Sequence, residues 1–175
     1  MSIYDELGAR VNEGRLILLP PPDIPGAMLM RRLFISNSIQ ALLDGPRESD
    51  EREARCGLLQ ADLDEFVTGA MIAMRMPPSK SIKAYLAQLE PDEFNAWEIR
   101  SVHPNPQLRL FGHFAGKDCF VALICKERQC LDTDAKWLAA IEECRAEWKK
   151  LFPVYDVPSL GAKIHDYISK KIYLV

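Results

Sequence analysis

Three consecutive segments with strand character, joined by short connections, constrain the fold of this chain most strongly. They are Asn95–Val102, Leu108–Phe114 and Cys119–Cys125. The first alternates between apolar and charged side chains, as a strand with one buried face does. The second and third are joined by a short connection that contains Gly116-Lys-Asp118, which is typical of a tight turn. The sequence therefore predicts an antiparallel meander.

Helical periodicity is found on both sides of this meander. Leucines and other apolar residues recur at helical spacing over Glu51–Val67 and again in a helix that is capped by Asp132 or Thr133 and runs to Leu151. A strand over Met28–Ile35 and a short helix over Ser38–Asp44 precede the first of these helices, with Ser36 or Asn37 as the N-cap. We therefore expect an α+β fold in which a small antiparallel β-sheet packs against an N-terminal helical pair and a C-terminal helix.

The pattern divides the chain into a central domain with an extension at each end. Residues 1–27 are predicted to form an N-terminal arm, with a Pro-rich linker at Pro20–Gly26. The domain follows over residues 28–151. Residues 152–175 form a C-terminal extension that packs on the domain, with a short helix near Gly161–Lys171. The apolar run in the arm suits either the edge of its own domain or a partner subunit, which would make a homo-oligomer.

Composition excludes several classes of protein. The five cysteines include no CxxC pair, and no apolar run is long enough for a membrane helix or a signal peptide, so we expect a cytoplasmic protein without a membrane partner. The formal net charge of -3 means that binding to nucleic acid would require Lys and Arg gathered on one face. Nucleotide-binding, zinc-protease and serine-hydrolase motifs do not occur, and we expect no cofactor and no metal.

Several short motifs resemble the RelE/HigB-type toxin superfamily, in particular its phage-type branch. They are Ala96-Trp-Glu-Ile-Arg100, Leu108-Arg-Leu-Phe111, Phe120-Val-Ala-Leu123, and Lys126-Glu-Arg128 followed by the helix up to Leu151. These segments are similar to the W-E-L-R, Y-R-V, I-V-L-L and F-K-K progression of that superfamily. The resemblance covers about residues 28–151 and implies a RelE/ParE-like domain.

The resemblance implies a toxin-like, ribosome-dependent endoribonuclease of a toxin–antitoxin system, with an antitoxin protein and the ribosome with its mRNA as partners. Such cleavage uses the 2′-hydroxyl of the RNA and needs no metal. Arg100 and Arg109 match the two family arginines on adjacent strands, and Lys126 falls in the basic segment after the last strand, with Arg128 beside it. Arg109 is predicted to act in catalysis, and Arg100, Lys126 and Arg128 to bind RNA phosphates.

His113 is the sequence-based candidate for a catalytic acid or base. It follows Arg109 by four residues on one predicted strand, so the two side chains share a face. This is a spacing argument and not a family match. A structural histidine within the sheet explains the same residue, just as ion pairs with Glu98 would explain the two arginines.

The acidic balance, the Pro-rich arm and the C-terminal extension favour a second hypothesis. In it the chain is a non-catalytic interaction or scaffold protein of phage or mobile-element origin that keeps a degenerate RelE-like fold. The two hypotheses differ in one structural requirement. The nuclease needs Arg100, Arg109 and Lys126 to converge on one basic surface.

Overall fold

The structure is a computed structural model that describes residues 2–45 and 49–175. Its described helices are α1 (Ile3–Asn12), α2 (Asn37–Asp44), α3 (Asp50–Val67), α4 (Asp134–Leu151) and α5 (Ile164–Tyr167). Its described strands are β1 (Leu16–Leu18), β2 (Arg32–Ser36), β3 (Ile72–Arg75), β4 (Leu86–Gln88), β5 (Trp97–Ser101), β6 (Leu108–Gly116), β7 (Cys119–Glu127) and β8 (Ile172–Leu174). The α+β class is as predicted.

The strands form one mixed sheet in the order β1-β2-β7-β6-β5-β4-β3-β8. The predicted meander is present as the antiparallel strands β5, β6 and β7. The expectation of a small antiparallel sheet was wrong, because β2 runs parallel to β7, and β3 runs parallel to both β4 and β8. The partners in the β2–β7 and β3–β8 pairs lie more than eighty residues apart in sequence, so no local pattern predicts them.

Helices cover both faces of this sheet. On one face, α2 and α3 pack with Trp97 and Ile99 of β5 in a core that also includes Phe66 and Tyr167. On the other face, α1 and α4 pack over the opposite side chains of β6 and β7, such as Phe111. The alternation predicted for β5 is therefore confirmed, and its charged side chains lie on the α4 face.

Side-chain caps begin helices α2 and α4. The Ser36 hydroxyl accepts the backbone N–H of Ile39 at the start of α2, and the Thr133 hydroxyl accepts that of Lys136 at the start of α4. Of the two N-cap candidates before α2, Ser36 and not Asn37 takes the role. The cap of α4 fixes where its first turn lies over β6, beside the charged residues described below.

Both ends of the chain contribute to the sheet. The predicted arm supplies α1 and the edge strand β1, which pairs with β2. The helix expected near Gly161–Lys171 is only one turn, Ile164–Tyr167, and the chain then forms the opposite edge strand β8. Among the described helices, none combines the length and apolarity needed to cross a membrane.

Candidate anion-binding pocket

A row of three basic residues crosses the central strands on the α4 face. Arg100 on β5 lies opposite Arg109 on β6, and Arg109 lies opposite Lys126 on β7. Residues paired directly across antiparallel strands project to the same face. Three of the four basic residues predicted to act on RNA are thus neighbours, although they come from three separate sequence motifs.

A buried carboxylate lies between the two arginines of this row. Glu98 Oε1 is 2.7 Å from Arg100 Nε, and Glu98 Oε2 is 3.4 Å from Arg109 Nε. The second contact is within ion-pair distance but lacks hydrogen-bond geometry, so Arg109 Nε has no hydrogen-bond partner among the described residues. The Glu98 side chain is 0% exposed and the two arginine side chains are each 8% exposed. One carboxylate therefore faces two guanidinium groups in a nearly dry site.

The pKa of Arg109 reflects the presence of two guanidinium groups and only one carboxylate. Burial is the main cause that lowers the pKa of Arg109, and the neighbouring Arg100 and Arg128 lower it further. Glu98 opposes these effects. The guanidinium remains charged, since its ordinary pKa lies far above neutrality. An added anion at this point would relieve the repulsion among the three arginines.

The buried arginines open into a cavity of about 840 Å³ between the sheet and the first turns of α4. Six of its lining side chains are Lys or Arg and three are Asp or Glu, a net charge of +3 with His103 neutral. The charged lining residues are Arg75, Lys80, Lys83, Arg100, Arg109, Arg128, Glu90, Glu98 and Asp134. The protein as a whole is acidic, so the cavity concentrates positive charge locally.

One wall of the cavity is apolar and aromatic. Trp137, Leu138 and Ile141 on α4 supply it. The guanidinium of Arg128 lies 5.4 Å from the Trp137 ring centroid and donates a hydrogen bond to the carbonyl of Leu131. The cavity therefore offers cations on the sheet side and a flat ring surface on the helix side. This combination suits a ligand that has both a phosphate and a planar ring.

Lys126 belongs to the row but does not line the cavity. Its ammonium group forms an ion pair with Glu143 of α4 at 2.7 Å, and both side chains are solvent-exposed to a similar degree. Such exposed pairs stabilise weakly and exchange easily. Of the residues predicted to bind RNA, Arg100, Arg109 and Arg128 meet in the cavity, and Lys126 lies beside it.

The structure puts His113 in the core and away from the cavity. The shared face with Arg109 is as predicted, but α4 covers His113 completely. Its Nδ1 donates to the carbonyl of Asn95 at 2.9 Å, and Cys144 Sγ lies 3.5 Å from its Nε2. Burial lowers the pKa of His113 to about 4. A buried, neutral and partnered imidazole fits the structural reading and not that of an acid or base for a bound ligand.

Sequence reasoning missed three basic residues and one histidine of the lining. They are Arg75, Lys80, Lys83 and His103. Arg75 ends a four-residue strand that carries no alternation, and the two lysines lie in an irregular connection, so no periodic pattern marked them. His103 stands in the His103-Pro-Asn-Pro106 turn, which indicated a turn and nothing about its neighbours.

A buried arginine of α3 holds the turn that carries His103. Arg55 donates to the carbonyls of Pro106, His103 and Ser101 at 2.8, 3.2 and 3.2 Å. The Ser101 hydroxyl donates to the carboxylate of Asp62, and burial raises the pKa of Asp62. The turn is therefore tied to the helix on the opposite face of the sheet, which fixes the rim of the cavity.

No group of three or more His, Cys, Asp or Glu side chains among the described residues is arranged to hold a metal ion. Comparisons with family models, curated proteins and solved structures find no match to this chain. The function of the cavity must therefore be inferred from its own residues.

Proposed function

We propose that this protein is a toxin-like endoribonuclease that acts on ribosome-bound mRNA in the cytoplasm and holds an RNA phosphate at Arg100 and Arg109. One observation carries the proposal. Two nearly buried guanidinium groups share a single carboxylate, Glu98, in an open cavity of net positive charge. Guanidinium groups bind phosphate oxygens in a bidentate manner and remain charged when partly desolvated.

The arrangement also suits the chemistry of RNA cleavage. Attack of a 2′-hydroxyl on the adjacent phosphate increases negative charge on the phosphate oxygens, which nearby cations stabilise. Arg109 has two further cations nearby, Arg100 and Arg128, so positive charge is concentrated around it. Trp137 adds an aromatic ring to the lining, and the guanidinium of Arg128 lies over that ring. With β3 and β4 set aside as insertions, the order of β2, two helices, the meander and α4 is compatible with the RelE/HigB-type resemblance.

His103 replaces His113 as the proton acceptor in this proposal. It is solvent-exposed on the cavity rim, whereas His113 is fully buried. Imidazole is the side chain best suited to exchange protons near neutral pH. The Arg55 hydrogen bond to its carbonyl holds the backbone of His103 in place at the rim.

The proposal is tested with a variant that removes the cation pair without leaving an unpaired buried charge. Glu98→Gln/Arg100→Gln/Arg109→Gln replaces all three ionic groups with amides of similar shape. Lys149→Gln, on the exposed end of α4, changes the net charge by the same amount and serves as the control. Each protein is expressed from an inducible promoter in a bacterial host, and growth is followed. The purified protein is then mixed with a reporter mRNA, with and without ribosomes, and cleavage is mapped by primer extension.

We expect the wild type and the Lys149→Gln control to arrest growth and to cut the reporter only when ribosomes are present. The triple variant, folded by circular dichroism, should do neither. Harmless expression of folded wild-type protein, or equal cleavage by the triple variant, would reject the nuclease.

One observation favours the alternative of a non-catalytic interaction protein. Glu98 neutralises part of the arginine pair and Glu143 pairs with Lys126, so each member of the basic row already has a carboxylate neighbour. Under this alternative the cavity still binds an anionic group of a partner, and the wild type binds RNA or protein without cutting. The growth and primer-extension assays separate the two functions directly.

A further inference from the structure

The cavity has a second cationic half that the motif match does not include. Arg75 lies at the end of β3, and Lys80 and Lys83 follow in the connection to β4. All three line the same cavity as Arg100 and Arg109. The second half therefore comes from strands outside the meander, on the side toward β8.

Arg75 lies on the same face of the sheet as Glu98, with Ala87 between them. It is paired with Ala87 of β4, and Ala87 is paired with Glu98 of β5, so all three project to the α4 face. Two strand spacings separate Arg75 from Glu98, roughly 10 Å across the sheet. Between them lies Ala87, which is 0% exposed and contributes only a methyl group, whereas Arg75 and Glu98 both line the cavity.

Arg75 is incompletely partnered. Its Nε is buried and has no hydrogen-bond partner among the described residues. Burial and the nearby Arg100 lower the pKa of Arg75, while Glu98 and Glu90 oppose this. Leaving a buried N–H donor without a partner costs free energy. A guanidinium N–H donates its most favourable hydrogen bonds to anionic oxygens.

The two lysines add charge at the mouth of this half. Lys80 forms an exposed ion pair with Glu90, whereas no side-chain partner of the exposed Lys83 is found in the part of the chain that the structure describes. Arg100 Nη1 donates to the carbonyl of Ser81 at 3.1 Å, so the lysine-bearing connection is attached to the first phosphate site. The two cationic halves are therefore fixed relative to each other.

We infer that Arg75, Lys80 and Lys83 form a second phosphate subsite, so that the pocket recognises two successive phosphates of one RNA strand. This inference rests on the proposed function, because it adds a neighbouring phosphate to the one held at Arg100 and Arg109. A terminal phosphate monoester is the strongest ligand for the second subsite, since it carries more charge than a phosphodiester.

The test compares three dinucleotides by NMR titration of the full chain. ApA has one phosphodiester, whereas pApA and ApAp add a terminal phosphate at the 5′ or the 3′ end. In the wild type we expect one of the phosphorylated forms to bind at least about ten-fold more tightly than ApA at low salt, because the added phosphate gains charge-assisted hydrogen bonds. Which end gains affinity gives the direction of the strand.

Arg75→Gln should reduce that ratio of affinities to below about three. Arg75→Lys keeps the charge and should retain part of the ratio, and Lys149→Gln should leave it at the wild-type value. An equal ratio in the wild type and in folded Arg75→Gln would overturn the second subsite while leaving the first intact. Binding of none of the three dinucleotides to the wild type would reject both the subsite and the proposed phosphate site.

Discussion

Removal of the Glu98 charge is the most informative single perturbation of the pocket. Glu98→Gln keeps the shape of the side chain and its hydrogen-bond acceptor for Arg100, but it leaves two guanidinium groups, each 8% exposed, without their carboxylate. Breaking a buried ion pair from one side typically costs about 3–5 kcal/mol. Because the amide still accepts one hydrogen bond, we expect the lower value, about 3 kcal/mol of the free energy of unfolding. For a chain of this length, the melting temperature falls by roughly 6–12 °C.

The same substitution should make the protein unusually responsive to anions. A phosphate ion that binds beside the arginines supplies the missing negative charge. It stabilises only the folded state, by about 2.7 kcal/mol when its concentration is a hundred times its dissociation constant. The assay is urea unfolding in sodium phosphate and in sodium chloride at equal ionic strength. Phosphate stabilises proteins in general, so the quantity of interest is the excess gain of the variant over the wild type.

Glu143→Gln provides the matched control. Glu143 is 47% exposed and pairs with Lys126 on the same face of the sheet. Its substitution should change the free energy of unfolding by less than about 1 kcal/mol and give no excess response to phosphate. A Glu98→Gln protein as stable as the wild type would refute the charge imbalance. A destabilised variant without the excess phosphate response would refute the anion site.

Three further outcomes are expected. Burial lowers the pKa of His113 to about 4 from an ordinary value of 6.5. Between these two pH values the unfolded chain binds a proton that the folded chain does not. The free energy of unfolding should therefore fall by roughly 3 kcal/mol as the pH drops from about 6.5 to 4. Urea denaturation across this range should show a flatter profile for His113→Gln and an unchanged one for His165→Gln, and equal profiles for all three proteins would contradict the assignment. A Cβ at Gly112 would lie 2.2 Å from a backbone carbonyl of β7, so Gly112→Ala should destabilise the protein by about 3 kcal/mol. Gly57→Ala, on α3 with open space around it, should stabilise it by about 0.5–1 kcal/mol in the same measurement, and a reversed order would show that the β6–β7 contact is looser than described. His103→Gln should abolish growth arrest without lowering the melting temperature, whereas arrest by a folded His103→Gln protein would remove this residue from the reaction.

Local patterns were sufficient for most of the helices and for the meander. Period-two alternation identified β5, and the Gly116–Asp118 turn identified the β6–β7 hairpin, because both depend on neighbours in sequence. The final segment was misjudged for a related reason. Residues after Tyr167 resemble the continuation of a helix, but they pair as β8 with β3, and that partner lies a hundred residues earlier.

The pocket was predictable only in part. Arg100, Arg109 and Arg128 were found from motif positions, and the structure brings them together in the cavity. The prediction that His113 faces a ligand failed because alternation gives the face of a strand but not what covers it. His113 is 0% exposed, whereas Arg109, on the same face of β6, lines the cavity. Arg75 could not have been found, since its position depends on the parallel β3–β4 pairing.

The pairing of β2 with β7 has a consequence for synthesis of the chain on the ribosome. Arg32 to Ile35 pair with Cys119 to Ala122, so more than eighty residues must be translated after β2 before its partner exists. At elongation rates of about 5–20 residues per second this takes roughly 4–17 s. During that interval the β1–β2 hairpin presents Leu33 and Ile35 with one backbone edge open, a state that invites association with other nascent chains. Transcripts truncated before residue 119 should therefore yield aggregates or chaperone-bound fragments, and the chain cannot be divided into an independently folding N-terminal half.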